Sequence, residues 1–225
     1  EIPQVQHIKM HCGPRALGRS FAIIASRGPK TMPLELVTVP CLTDNYAYLI
    51  HDAASGRTAV VDVPEPGPIL AALAAQHWRL TDILITHHHS DHIDGVDPLR
   101  ERTGARVWGA AADAHRLPRL DEALVEGSRF WLGTEEVRVI ETPGHTIGHI
   151  AYLTPGHAFT ADSLMSGGCG RLFEGSARQM HASLQKFAGL PPQTLICSGH
   201  EYTASNLRFA ATIEPDNPAL PARPR

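Results

Sequence analysis

Short apolar runs alternate with glycine, proline and polar breaks along the chain, and this punctuation divides it into two similar halves. Residues 34–39 and 46–51 have the alternation of strands, separated by the turn-forming Thr43-Asp44-Asn45. A third strand is predicted over 58–63, closed by Pro64-Glu65-Pro66-Gly67. Residues 69–77 carry an alanine-rich helical face, and 82–86 form a strand around the apolar run Ile83-Leu84-Ile85. A short helix is predicted over 98–102, with Asp97 as N-cap, Pro98 at its first position and Gly104 past its end. The next strand is 106–109.

The second half repeats the scheme. Strands are predicted over 129–132, 136–140, 150–153 and 158–161, with glycine or proline turns between them. An amphipathic helix follows over 177–187, then a strand over 194–197 and a helix over 202–213. The tail from Glu214 is proline-rich and does not continue that helix. Two blocks of this kind imply an α/β protein of two sheets packed face to face with helices outside. Polar residues at the strand ends are the expected place for a site.

A length of 225 residues fits one large domain, or one domain and a fragment. Such a chain buries roughly 70–75% of its unfolded surface and needs no disulfide staple. The four cysteines, Cys12, Cys41, Cys169 and Cys197, form no C-x-x-C pair, which favours a reducing compartment. Cys41 and Cys197 lie in apolar runs and read as buried, inert thiols. No apolar run approaches the ~20 residues of a membrane span. The net charge of −3 is unevenly spread: residues 1–31 hold five cations against Glu1, a net of +4, leaving −7 for the remainder. An acidic body argues against nucleic acid as a partner. Residues 1–31 lack periodicity, strand patterning starts near Met32, and this leader is expected to be an extension without a fold role. A cytoplasmic monomer is expected; a mitochondrial location is the alternative if the leader is a transit peptide.

The chemistry is concentrated in Thr86-His87-His88-His89-Ser90-Asp91-His92. His87 and His89 are two apart, so in an extended segment they project to one side and can chelate one ion, while His88 points away and reads as structural. Asp91 and His92 follow as the chain turns and can face a neighbouring ion. Imidazole with carboxylate suits zinc, iron or manganese. Four donors in one loop exceed what a single catalytic zinc takes, which points to two cations and to hydrolysis. Downstream partners strengthen the pattern. In Pro143-Gly144-His145-Thr146-Ile147-Gly148-His149, His145 is the expected ligand and His149 a hydrogen-bonded support. Asp162, at the end of a strand, can bridge two cations, and His200 again lies just past a strand.

The set T-H-H-H-x-D-H, P-G-H-T-x-G-H, F-T-A-D-S and G-H-E-Y-T resembles the metallo-β-lactamase superfamily. With Pro40-Cys-Leu-Thr-Asp-Asn-Tyr46 and Gly168-Cys-Gly-Arg-Leu-Phe-Glu-Gly175, the chain more narrowly resembles glyoxalase II, the hydroxyacylglutathione hydrolases, over roughly residues 32–218. The resemblance implies an αββα four-layer sandwich with a catalytic domain at 32–200. It places His87, His89 and His145 on one metal, Asp91, His92 and His200 on a second, and Asp162 on both. Asp62 becomes a supporting residue behind them. Two divalent cations are implied, zinc in first place, with iron or manganese as alternatives.

The implied reaction is hydrolysis of a glutathione thioester, S-lactoylglutathione giving lactate and glutathione in methylglyoxal detoxification. Asp91 and Asp162 position the water through the metals. A thiolate is a good leaving group, with a thiol pKa of about 8.5, so no strong general acid is required. Arg171, Phe173 and Tyr202 are the implied contacts to glutathione; the plainer readings are a solvated cation for Arg171 and core packing for Phe173. Family members normally continue into a helical domain that adds basic residues. Residues 201–225 read as a remnant of it, so weakened glutathione affinity is expected. A lactonase, another acyl-thioester hydrolase, or a metal-binding chain with little turnover are the alternatives. A β-lactamase fits less well, since those enzymes generally lack the bridging aspartate.

Overall fold

Tyr48, Leu49 and Ile50 are consecutive and buried, yet they belong to different cores: Tyr48 and Ile50 to one, Leu49 to another. This is the signature of a sheet covered on both faces, where successive side chains point opposite ways. The computed structural model describes residues 34–218 and 220. The leader 1–31, the start at Met32, Cys12 and the end of the tail, 221–225, lie outside the described residues.

Six strands form the first sheet in spatial order: β1 (Glu35–Cys41), β2 (Asn45–Asp52), β3 (Arg57–Val61), β4 (Asp82–Leu84), β5 (Arg106–Ala110) and β6 (Glu122–Leu124). The first three are antiparallel hairpin strands, and β3 to β6 run parallel. Parallel neighbours need crossovers. Helix α1 (Pro66–Gln76) supplies the one between β3 and β4; α2 (Ser90–Ile93) and α3 (Val96–Thr103) supply the one between β4 and β5. The second sheet holds β7 (Arg129–Leu132), β8 (Glu135–Glu141), β9 (Ile150–Thr154), β10 (His157–Ala161) and β11 (Leu195–Ser198), in the order β11-β10-β9-β8-β7. Helix α4 (Ala177–Ala188) joins the parallel pair β10 and β11, and α5 (Thr203–Ile213) follows.

Three cores separate four layers. The central one interdigitates Tyr48, Ile50, Val61 and Leu84 of the first sheet with Val137, Val139, Tyr152 and Phe159 of the second. The outer face of the first sheet presents Leu49, Val60 and Ile83 to Ile69 and Leu73 of α1 and Val96 and Leu99 of α3. The outer face of the second presents Ile140, Ala151 and Leu153 to Phe187 of α4. The predicted αββα sandwich is therefore the observed one. Cys41 and Cys197 are buried as expected, and burial pushes the Cys41 thiol up to about 11.

Local departures have tertiary causes. Helix α1 begins at Pro66, inside the stretch read as a closing turn, because proline fits the first helical position without a missing hydrogen bond. Helix α3 starts at Val96, capped by Gly95 instead of Asp97, and no side chain caps it. Gly95 donates its N–H to the Val63 carbonyl at 2.9 Å, and a Cβ there would lie 2.7 Å from Val63 Cγ1. The close approach of two segments, rather than a capping side chain, sets the start. Strand β6 and helix α2 were not predicted; with three and four residues they are too short to carry a period.

Candidate metal centre

Every predicted donor sits just beyond a strand at one edge of the sandwich. Thr86 to His89 follow β4, and α2 carries Asp91 and His92. His145 lies in the β8–β9 connection, Asp162 directly after β10, and His200 two residues after β11. Backbone hydrogen bonds lock these ends together: Ile150 N donates to Thr86 O at 2.9 Å across the two sheets, and Tyr46 N donates to Gly199 O at 2.8 Å. Asp62 (φ 57°) and Ala161 (φ 40°) adopt left-handed backbone beside the site, a strain that the packed sheet ends impose.

Hydrogen bonding assigns the tautomer of four histidines. His92 Nδ1 donates to Asp62 Oδ2 at 2.8 Å, His200 Nδ1 to Asp44 Oδ1 at 3.0 Å, and His145 Nδ1 to the Arg171 carbonyl at 2.8 Å. Thr86 Oγ1 gives its own proton to Asp62 Oδ2 at 2.7 Å, so it accepts from His87 Nδ1 at 3.0 Å. Each Nε2 is then a bare lone pair. These lone pairs converge: His92 Nε2 and His200 Nε2 lie 3.3 Å apart, and His145 Nε2 lies 2.9 Å from His89 Nδ1. His87 Nε2 is buried with no hydrogen-bond partner.

A carboxylate stands between the two sets. Asp162 Oδ2 is 3.3 Å from His145 Nε2 and 3.4 Å from His200 Nε2, and its Oδ1 is 3.5 Å from His92 Nε2. Burial opposes its charge, but the contact with His200 and the neighbouring His92 and His145 outweigh burial and hold its carboxyl well below the usual range. Asp91 Oδ2 is 3.4 Å from His200 Nε2. Buried lone pairs and an anion aimed at one another need positive charge between them. Protons alone serve poorly, because burial keeps His87 well below the ordinary histidine range and takes His149 down to about 3. His92 and His200 are exceptions: burial works against their charge, but Asp62 outweighs it and lifts His92 to about 9, and Asp162 and Asp44 outweigh it and raise His200.

The donor set therefore fits divalent cations. Ligand atoms of His87, His89 and His145 lie within 4.8 Å of one another, as do those of Asp91, His92 and His200. A third grouping of Asp62, His87 and His92 is equally compact. Asp62 is already committed there, accepting from Thr86 N at 2.8 Å as well as from Thr86 Oγ1 and His92 Nδ1. It orients the others, as the sequence reading expects. His149 is likewise a support: its Nδ1 meets Thr142 Oγ1 at 2.9 Å and its ring stacks on His87 at 4.8 Å.

An open cleft of about 730 Å³ lies over these donors, and Arg171, Phe173 and Tyr202 line it with them. Tyr202 stacks on His200, with 4.8 Å between centroids. Phe173 packs edge-on to His89 and His145 and is 59% exposed, which excludes simple core packing. The Arg171 guanidinium lies 5.7 Å over the Phe173 ring. Sequence reasoning passed over Asp44 and Asn45 as turn residues. Asn45 is buried and its Nδ2 donates to Asp91 Oδ2 at 3.1 Å, so the β1–β2 turn orients donors on both sides. A paired Asp-Asn directly before a buried strand was the available signal.

Gly199 tests how tightly the cradle is built. A Cβ there would lie 2.4 Å from Asp162 Oδ1 and 2.8 Å from His92 Cε1. Gly199→Ala is expected to weaken metal affinity roughly 10–100-fold, the range for changes that misplace ligands. Competition with a chromogenic chelator measures it, and unchanged affinity would mean that the backbone yields.

Comparison with known proteins is consistent with this geometry. Residues 43–200 match the family model described as the metallo-beta-lactamase superfamily. The chain is 68% identical over 191 residues to a hydroxyacylglutathione hydrolase of Cereibacter sphaeroides (strain ATCC 17025 / ATH 2.4.3), covering 84% of this chain and 75% of the relative. Among solved structures, BLEG-1 B3 metallo-beta-lactamase is similar in fold, with a TM-score of 0.68 and 23% identity over 74% of this chain and 92% of that one. TTHA1623 in a di-iron-bound form gives a TM-score of 0.63 and 28% identity over the same shares. Among the described residues, no helix is long and apolar enough to cross a membrane.

Proposed function

Because the chain belongs to the metallo-beta-lactamase superfamily and, within it, to the hydroxyacylglutathione hydrolases, we propose that it hydrolyses S-(2-hydroxyacyl)glutathione thioesters, S-lactoylglutathione above all, to the hydroxy acid and glutathione. The observation that carries the reading is the convergence of bare imidazole nitrogens on both sides of a buried, anionic Asp162 at the floor of an open cleft. His87, His89 and His145 would hold one divalent cation and Asp91, His92 and His200 a second, with Asp162 available to both. Zinc is the first choice, with iron or manganese accepted by the same donors; TTHA1623, in its di-iron-bound form, supports a pair. Residues 32–200 form the catalytic domain of a monomer that acts in the cytoplasm.

When bound, such cations lower the pKa of water and polarise a carbonyl oxygen. The protein's own groups do the rest. Asp62, Asp44, Thr86 and the Arg171 carbonyl hold the imidazoles with their lone pairs inward, which preorganises the site. Asp91 and Asp162 position the attacking water. Arg171 meets a glutathione carboxylate, Tyr202 offers its hydroxyl to the peptide, and Phe173 packs against it. The thiolate leaves without a strong acid.

One assay tests this. Purified protein is given S-lactoylglutathione, a lactone and a β-lactam in parallel, with metal measured on the same sample. Selective thioester cleavage with two cations per chain is expected, lost on chelation and restored by zinc. Cleavage of the lactone alone would overturn the reading.

A further inference from the structure

His88, the histidine of the cluster that faces away from the cradle, meets a charge network. Its Nδ1 lies 3.3 Å from Asp113 Oδ2, and its Nε2 lies 3.3 Å from Arg116 Nη1 and 3.6 Å from Glu174 Oε1. The guanidinium of Arg116 forks. Its Nη2 donates to Asp113 Oδ1 at 2.7 Å and to Glu174 Oε2 at 3.2 Å, and its Nη1 donates to Glu174 Oε1. Glu174 Oε2 also accepts from Ile147 N at 2.8 Å. Asp113 is buried against Gly148, where a Cβ would lie 2.1 Å from its Cγ. The hydrogen bonds of Arg116 hold the Glu174 carboxyl down at about 2, so the pair stays charged.

This network ends on the loop that forms one wall of the cleft. Residues 169–175 belong to no helix or strand. Their inner backbone groups bond to neighbouring loops: Arg171 O with His145 Nδ1, Gly170 N to Asp162 O at 2.8 Å, Phe173 N to His145 O at 3.2 Å, and Gly175 N to Gly144 O at 3.1 Å. A loop held only by other loops keeps its shape poorly. Arg116 comes from the turn after β5, and its two-pronged grip on Glu174 joins the loop to the segment that leads out of the first sheet. A planar fork can hold Asp113 and Glu174 at once; an ammonium is a single point.

We propose that Arg116, through Glu174, is a positioning residue for thioester binding: the ion pair pins the 171–175 loop so that Arg171 and Phe173 stand at the cleft, and His88 with Asp113 fixes the guanidinium. The inference rests on the thioesterase reading, in which those two residues face the glutathione portion. The tether acts on ground-state and transition-state binding alike, because it places the Arg171 and Phe173 side chains on the glutathione side of the cleft, while the short inner bond from His145 Nδ1 to Arg171 O stays in place.

Arg116→Gln and the milder Glu174→Gln are compared with the parent protein, both with metal bound. KM for S-lactoylglutathione is expected to rise about tenfold while kcat changes by less than about threefold, the pattern of lost uniform binding. Arg116→Lys should restore only part of the loss. In hydrogen exchange, the Phe173 and Gly175 amides should exchange about tenfold faster while β9 and β10 amides are unchanged. Unchanged KM would overturn the proposal, and so would loss of metal with unchanged KM, which would make the network a metal support. If the parent protein cleaves no thioester, the functional reading fails by itself, and the exchange rates alone decide whether the tether exists: no acceleration overturns it.

Discussion

Replacing Asp162 with asparagine is expected to lower kcat/KM for S-lactoylglutathione on the order of 10³-fold and to strip at least one cation from each chain. The two side chains have the same shape, so the fold should survive. What changes is charge and the direction of hydrogen bonding. Asp162 is the carboxylate within 3.5 Å of His92, His145 and His200 at once, and its Oδ1 is buried without a hydrogen-bond partner. An amide would remove the negative charge between the two donor sets. Its NH₂ group would then satisfy a lone pair that a cation should occupy. Metal content by mass spectrometry and steady-state kinetics on one sample measure both effects. Two cations per chain with activity within tenfold of the parent would show that the bridge is dispensable.

Asp82→Ala is expected to cost about 3 kcal/mol of stability, the scale for removing one partner of a buried charged network. Asp82 is 1% exposed at the start of β4, the strand that delivers the histidine cluster. Its Oδ2 accepts from Arg57 Nη2 at 2.7 Å and Thr81 Oγ1 at 2.7 Å. Its Oδ1 accepts from Arg106 Nη2 at 2.9 Å and Trp108 Nε1 at 2.9 Å. Arg57 and Arg106 are partly exposed and regain water after the substitution, which keeps the cost below that of a fully buried pair. Trp108 is nearly buried and would lose its acceptor. For a chain of this size the loss corresponds to a fall in Tm of about 6–12 °C; a fall under about 2 °C would contradict the argument.

The same carboxylate sets a pH dependence. Burial works against its charge, but hydrogen bonds from Thr81, Arg57 and Trp108 and the charge of Arg57 outweigh burial and hold it below the ordinary range. A depressed folded-state pKa gives stability that is fully present above the unfolded value, about 3.9, and is lost as pH falls through the folded one. Thermal melts of the parent protein should therefore fall in the acid region below pH 4. Asp82→Ala should flatten that part of the profile, while a parallel profile would sink the assignment.

Much of the architecture was legible in the sequence because the cores are layered. Val60 and Val61, or Ala151 and Tyr152, occupy opposite faces of covered sheets, so strands appear as short apolar runs bounded by turns. The donors were legible for a related reason. A histidine or aspartate immediately after such a run lies at a sheet edge, and His87, His89, Asp91, His92, His145, Asp162 and His200 all follow this rule or the turn beside it. What pattern cannot show is which atoms meet. Asp44 and Asn45 looked like ordinary turn residues until the β1–β2 hairpin was laid against β11.

The sequence by itself determined the layers, the edge at which the chemistry sits and the types of donor gathered there, because each depends on local period and residue type. Only the tertiary structure decided the tautomers of the histidines, the exposure of Phe173 and the Arg116–Glu174 link. These join residues up to 156 positions apart, as His200 to Asp44 does. The physical reason is range: periodicity reports the face of one element, whereas a hydrogen bond or ion pair depends on how two elements, distant in sequence, are docked.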